Sequence, residues 1–431
     1  MKNLFKIFIL ISLFIISINS GFAFQTGKLD KLIKQSNLNE AATVAISVKN
    51  VENNNTVYEL NSKKLLHPAS TLKIFTAYAA FDTLGYEYLF RTQFYKDNQN
   101  NLYIKLGADP FLKSSELKAA LNTVKDESGS SFKNLYIDDS IIDKEEFAPG
   151  WMWDDDTNPY TPKISAYNLD NNLIQVNMSA NAEGLAELRP KTTYPASVFS
   201  YIKTGGKEDS IDIKRYNWNN PELTEVYGTV TSPKSFNIPI SSMRRYFIHN
   251  LEKGLEELKL QITSTLYSSK IVPEDAQLIT EISHPASKAL PFILKNSNNL
   301  MAETVFKLAA SKKYAATGSE DLACELFKEF YNKNGIETEN IIIQDGSGIS
   351  RKNLVSADWS TSTLNTLYKM KDFEKYKEQM AQPGEGTLSE RLFDLRGDVW
   401  LKTGSLAKIS TLAGYVNSQD GNTYSVTIFI E

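Results

Sequence analysis

Cysteine is almost absent from this chain of 431 residues, which contains one, Cys324. No intrachain disulfide can form, so a disulfide-stapled scaffold is excluded. Cys324 falls in the helical pattern of residues 321–327, where a buried structural thiol is expected rather than a catalytic one. Histidine is scarce too. His67, His249 and His284 are the whole set, none is spaced to share a ligand with another, and no His-Glu-x-x-His occurs. A histidine-based zinc site is not expected, and the sequence implies no metal and no cofactor. Gly-x-Ser-x-Gly is missing as well, which argues against a Ser-His-Asp hydrolase. Basic residues are in no excess: Lys+Arg number 47 against 51 Asp+Glu, for a net charge of −4. That balance disfavours nucleic acid as a partner. Beyond the N-terminus no apolar run is long enough to span a bilayer.

The N-terminus is the exception. Residues 1–6 form a short basic region, residues 7–18 are almost wholly apolar, and Gly21-Phe22-Ala23 offers small residues for cleavage. Residues 1–23 therefore read as a secretory signal peptide, with an uncleaved membrane anchor as the alternative. No cysteine follows closely, so a lipoprotein is excluded. The mature chain is expected to carry no transmembrane helix and to work in the periplasm.

The rest is organised around residues 67–78, HPASTLKIFTAY. A helix is expected to open at Ser70 and to stop at Gly85. Lys73 would then lie one turn on, on the same face as Ser70. Burial among Ile74, Phe75 and Ala77 favours the neutral amine, so Lys73 could take the proton of a Ser70 nucleophile. Ser-x-x-Lys alone is weak, and recurs at Ser115/Lys118, Ser130/Lys133, Ser200/Lys203 and Ser405/Lys408. Ser70 differs in having a helix that is apolar around most of its turn, as a helix in a large core is.

In chain order, residues 28–35 read as a helix, 42–48 and 56–60 as two strands, and 70–84 as the buried helix. From 89 to 279 the character changes to short strands (101–107, 135–139, 173–178) and frequent turns, with helices at 114–124 and 248–258. This region is expected to be an insertion, with a smaller β-rich module near 176–240. From 288 the chain is helical again: 289–295, 300–310, 320–332 and 357–371, with a buried strand at 341–343. Three strands close it, 399–404, 410–417 and 424–430, the last two joined by an Asp420-Gly421 hairpin.

Two further short motifs follow the first. Ser297-Asn298-Asn299 puts a hydroxyl and an amide on a turn between helices, and Lys402-Thr403-Gly404-Ser405 stands on a C-terminal strand. Each has a decoy, Ser235-Phe236-Asn237 and Lys203-Thr204-Gly205. Order and context separate them. Ser70…Lys73, Ser297…Asn299 and Lys402-Thr403-Gly404 follow the order of penicillin-recognising serine enzymes. With Gly107-Ala108-Asp109-Pro110, Ala148-Pro149-Gly150-Trp151, Asp345-Gly346-Ser347-Gly348 and Gly386-Thr387-Leu388, the chain resembles the class C low-molecular-mass penicillin-binding proteins. These are D-alanyl-D-alanine carboxypeptidases and endopeptidases.

The resemblance implies an α/β (α+β) fold of the DD-peptidase/β-lactamase-like kind. Residues 24–88 and 280–431 would form the penicillin-binding domain, interrupted by the inserted region 89–279. It implies Ser70 as nucleophile, Lys73 as base, Ser297 as proton relay and Asn299 as holder of a substrate amide. Lys402 and Thr403 would bind the terminal carboxylate, and Gly404 would let a ligand approach the backbone. The N–H groups of Ser70 and Ser405 would stabilise the oxyanion. Asp155, with Asp154 and Asp156 as rivals, would read a diamino acid side chain, with Arg351 and Leu406 as lesser candidates for binding substrate. The partners implied are peptidoglycan stem peptides, with β-lactam antibiotics as covalent inhibitors. Alternatives are a β-lactam hydrolase, which would not need the insertion, and a catalytically weak cell-wall scaffold. Two departures stand out. Asn298 occupies a position where Asp is frequent, and the sequence ends at Glu431 without the helix this fold places on its sheet. Without it one sheet face loses apolar cover, unless the N-terminal helix and a partner cover that face instead.

Overall fold

The computed structural model describes residues 26–36, 42–181, 183–215, 222–264, 266–395, 397–418 and 421–431. The expected signal peptide, and Asp420 of the expected hairpin, lie outside them. The longer elements run in chain order as α1 (Thr26–Ser36), β1 (Val44–Asn50), β2 (Thr56–Leu60), α2 (Leu72–Leu84), β3 (Leu89–Lys96), β4 (Leu102–Lys105), α3 (Ser114–Ser128) and β5 (Leu135–Asp138). Next come β6 (Leu173–Ala180), β7 (Ala186–Pro190), β8 (Ser197–Thr204), β9 (Ser210–Lys214), β10 (Leu223–Val230), β11 (Phe236–Pro239), α4 (Met243–Leu258), β12 (Leu266–Ser269) and β13 (Gln277–Pro285). The last group is α5 (Ala289–Leu294), α6 (Asn299–Tyr314), α7 (Glu320–Lys333), α8 (Ala357–Tyr368), β14 (Val399–Leu406), β15 (Ile409–Asn417) and β16 (Thr423–Ile430).

The central sheet has five antiparallel strands in the order β14-β15-β16-β1-β2, so the chain's first and last strands meet at its middle. All seven residues of β1 are buried. Alternation sends them to two faces. Val44, Ile46 and Val48 join Leu29 and Ile33 of α1 and Leu388 and Leu395 in one apolar cluster. Ser47 and Lys49 turn the other way, onto α8: Ser47 Oγ lies 2.7 Å from Thr361 Oγ1, and Lys49 pairs with Asp358 at 2.8 Å. Of the alternatives the sequence left open, cover by the N-terminal helix is the one found. Helix α1, with residues of the segment 381–395, buries the apolar side of the sheet.

The inserted region leaves and re-enters the body along one ribbon. β3 pairs antiparallel with β13 from Leu89↔Pro285 to Lys96↔Gln277. These strands are the edge of a second five-stranded sheet, β12-β5-β4-β3-β13. Two three-stranded sheets follow, β11-β6-β7 and β8-β10-β9, closed around a small core of Ala186, Ile202, Val226 and Val230. α4 begins at Met243, earlier than its apolar pattern predicts, because Ser242 caps it by accepting the Arg245 N–H. The expected strand at 341–343 is reduced to a single bridge. Only Ile342 pairs, with Leu354, and the next N–H, of Gln344, goes to the Asn353 side chain instead of a neighbouring strand.

Candidate active site

Helix α2 is fed by a one-turn 3-10 segment, Ala69–Thr71, that holds Ser70. Ala69 takes φ 46°, in the left-handed region that a side chain disfavours. The turn is pinned on both sides: the hydroxyls of Thr71 and Thr411 both donate to the Pro68 carbonyl, at 2.6 and 2.8 Å. Beyond it, α2 is buried along nearly its whole length and stops at Gly85, as its apolar run implies.

Lys73 is fully buried on the turn after Ser70. Its Nζ donates to Ser70 Oγ at 2.8 Å, to Asn299 Oδ1 at 2.5 Å and to the Ser347 carbonyl at 2.5 Å. None of these acceptors carries a formal charge. Burial pulls its pKa down from 10.5 to about 7, against the opposing pull of the Asp345 and Glu303 carboxylates. An amine near neutrality in hydrogen-bond reach of a hydroxyl is equipped to remove its proton.

Asn299 begins helix α6, and its amide is fixed from both ends: Oδ1 by Lys73, and Nδ2 by donating to the Tyr160 carbonyl at 2.7 Å. Asn298 is the N-cap, accepting the Met301 N–H at 2.9 Å, a task Asp performs equally well. Glu303 and Lys307 follow Asn299 at four-residue steps, hence on one helical face. Buried Glu303 accepts the N–H groups of Gly346 and Ser347, at 2.9 and 2.7 Å. That anchors the loop whose Ser347 carbonyl receives Lys73. Asp345 completes the anchor, accepting from Gly348 N, Ser350 N, Asn353 Nδ2 and the Trp151 indole at 2.6–2.9 Å. Burial, followed by the charges of Asp345 and Glu320, pushes the Glu303 carboxyl well up. Sequence reasoning missed Glu303. The signal for it was the four-residue spacing of Asn299, Glu303 and Lys307, in a helix that also carries Thr304, Ser311, Lys312 and Lys313.

Two glycines let backbone close on Ser70. A Cβ on Gly348, at φ 81°, would stand 1.9 Å from the Ala69 carbonyl oxygen. A Cβ on Gly404 would stand 2.2 Å from Thr411 Oγ1 and 2.8 Å from Ser70 N. Strand β14 therefore runs directly beside the nucleophile. It carries Lys402, fully buried, whose Nζ donates to the Thr403 carbonyl at 2.7 Å. Burial and the nearby charge of Lys73 hold Lys402 well below an ordinary lysine pKa. Thr403 is half-buried, Ser405 exposed and Leu406 half-buried at the strand end.

Ser70, Lys73 and Asn299 are thus brought into direct contact, with Gly404 against the Ser70 amide and Lys402 near Lys73. Ser297 precedes Asn299 on the same turn, at φ 62°, and lines a cavity shared with Asn299. The three acidic rivals separate by their partners. Asp156 is engaged by Arg215 at 3.2 Å and Lys163 at 3.6 Å, and Asp154 is exposed. Half-buried Asp155 accepts the Met152 N–H at 2.8 Å, and burial raises its pKa while the Arg351 charge lowers it. Among the described residues no cluster of His, Cys, Asp and Glu could hold a metal ion, and no helix is long and apolar enough to cross a membrane.

A family model described as the D-Ala-D-Ala carboxypeptidase 3 (S13) family matches residues 25–431. The D-alanyl-D-alanine carboxypeptidase DacB of Haemophilus influenzae is 25% identical over 413 residues, 91% of this chain and 86% of the relative. A D-alanyl-D-alanine carboxypeptidase of Actinomadura sp. is 26% identical over 418 residues, covering 89% of this chain and 76% of the relative. The crystal structure of penicillin binding protein 4 (dacB) from Haemophilus influenzae superposes with a TM-score of 0.81 at 25% identity, over 93% of this chain and 92% of that one. The same protein complexed with a novel beta-lactam superposes with a TM-score of 0.75, again at 25% identity, over 92% of each chain.

Proposed function

The chain belongs to the D-Ala-D-Ala carboxypeptidase 3 (S13) family, and from that premise we propose a periplasmic serine carboxypeptidase or endopeptidase of peptidoglycan that acts through an acyl-enzyme on Ser70. The body of residues 24–88 and 280–431 carries the chemistry, and the insertion 89–279 shapes what reaches it.

The contacts of Lys73 and Asn299 support their roles, and the other roles are those the family resemblance implies. Ser70 Oγ gives its proton to Lys73 Nζ as it attacks the carbonyl carbon between two D-alanines. The carbonyl π pair moves onto oxygen, toward the N–H groups of Ser70 and Ser405. Collapse breaks the C–N bond, and the leaving amine takes a proton delivered through Ser297. Asn299 holds an amide of the acyl half, while Lys402 and Thr403 bind the terminal carboxylate. Asp155, modulated by Arg351, reads the cationic end of a diamino acid side chain, and Leu406 borders that pocket. Water then attacks the ester and frees Ser70. A penicillin opens on Ser70 by the same first step and leaves slowly.

The observation that carries this reading is the Lys73 amine, driven toward its neutral form by burial and 2.8 Å from Ser70 Oγ. The test is covalent labelling of the mature chain by a fluorescent penicillin, beside Ser70→Ala. A stable label that disappears in the variant is expected. No label on a folded wild-type chain would sink the reading in favour of a scaffold. Rapid turnover of a chromogenic β-lactam would turn it toward a hydrolase of those drugs.

A further inference from the structure

Beside Ser297 and Asn299 opens a cavity of about 630 Å³ that the chemistry above leaves unused. That volume lies in the range of about 300–1,000 Å³ of sites that hold a whole small ligand. One end is the turn of Asn296 to Asn299. The other belongs to the small β-module: Ile211 and Ile213 of β9, and Phe236 and Asn237 of β11.

The lining has a distinct chemistry. It contains no charged residue. Asn171, Asn237 and Asn296 line it, and among the described residues none of their side-chain amides has a protein partner. Ile211, Ile213 and Phe236 are half-buried, and Tyr160, 78% exposed, stands at the rim. Unpartnered amides recognise hydroxyl and acetamido groups, apolar surface receives the flat face of a sugar ring, and a neutral lining gives no return for desolvating a carboxylate. A bare stem peptide, rich in carboxylates, fits poorly. A neutral N-acetylated sugar fits each feature.

Resting on the function proposed above, we propose that this cavity binds the N-acetylated sugar to which the cleaved stem peptide is attached. The geometry allows it. Four extended residues separate the scissile bond from the sugar, about 13 Å. Asn299, which holds the peptide amide, lines this same cavity together with Ile211, Ile213, Phe236 and Asn237 of the module, so a peptide held there has its sugar end within reach of the cavity. The β-module is then a reader of glycan, and the substrate is a muropeptide rather than a free peptide.

The experiment compares kcat/KM for D-alanine release from a pentapeptide carrying the N-acetylglucosaminyl-N-acetylmuramyl disaccharide with that from the free pentapeptide. Wild type, Phe236→Ala and Asn237→Ala are measured, each after titration of its active sites with penicillin. Wild type should favour the disaccharide substrate by about tenfold or more, and the ratio should fall toward one in both variants. A wild-type ratio of one, or a ratio retained in both variants, overturns the proposal. Should a variant fail to label, wild type decides alone. N,N′-Diacetylchitobiose should raise KM for the disaccharide substrate and not for the free pentapeptide, and an equal effect on both, or none, overturns it. Penicillin labelling and D-alanine release with a ratio of one would remove the sugar site and leave the enzyme standing. Absence of both would remove the enzyme.

Discussion

Helix α6 serves two lysines in opposite ways. At its start Asn299 meets Lys73, whose hydrogen-bond partners are all uncharged. Two turns on, its own Lys307 is equally buried but pairs with Asp143 at 2.7 Å and Glu320 at 2.6 Å. Burial pulls both amines down. At Lys307 the two carboxylates outweigh it and the net shift is upward. At Lys73 the carboxylates Asp345 and Glu303 act from behind the loop and do not outweigh it. What separates the lowered amine from the raised one is therefore direct contact with a carboxylate, which Lys307 has and Lys73 lacks. Glu303, between them on the helix, spends its hydrogen bonds on the Gly346–Ser347 backbone and makes none to either amine.

The largest test of this contrast is to remove each amine. Lys73→Met should slow acylation of Ser70 by a penicillin by about 10²–10⁴-fold, read by stopped labelling on a chain whose circular dichroism is unchanged. Lys307→Met strands two carboxylates and should cost about 3–5 kcal/mol in urea unfolding. If the two substitutions destabilise equally, the distinction fails. Next comes pH. Only the neutral amine can accept a proton, so acylation should rise about tenfold from pH 6 to pH 8, around a midpoint near the Lys73 value of about 7. Asp345→Asn removes a charge that favours the protonated amine and should move that midpoint down. A midpoint that stays or rises would mean that Asp345 acts through its hydrogen bonds alone. The smallest effect belongs to Asn298→Asp. Both side chains cap α6, so its stability should change by less than about 0.5 kcal/mol in thermal unfolding.

How far the sequence could be read depended on how local each contact is. Ser70 and Lys73 are one turn apart, so their pairing needed only a helix. Lys402 was separable from Lys203 because a strand-forming run follows it. Glu303 was only half legible: its spacing from Asn299 and Lys307 marks a shared face, but the Gly346–Ser347 backbone that gives Glu303 its role is more than 40 residues away. The ribbon of β3 and β13 escaped for the same reason: its partners are separated by the whole inserted region. The N-terminal helix was legible as a cover of the central sheet, but its companion was not, because segment 381–395 has little regular structure of its own, yet contributes Leu388 and Leu395 to the apolar cluster. Ile341 to Ile343 looked like a strand because composition records burial and not pairing.

The approach of Gly348 and Gly404 to residues 69 and 70 bears on how such a protein can change over generations. A nucleophile walled by side chains can be re-tuned one replacement at a time. Here the walls are main chain, and the smallest step available at either position is a methyl group driven into a carbonyl oxygen or a threonine hydroxyl. Drift at the reacting centre is therefore frozen, and diversification is pushed outward, to exposed rim residues such as Trp153 and Tyr160 and to the β-module behind them. Lineages sharing this seat should differ in what they admit long before they differ in how they cut.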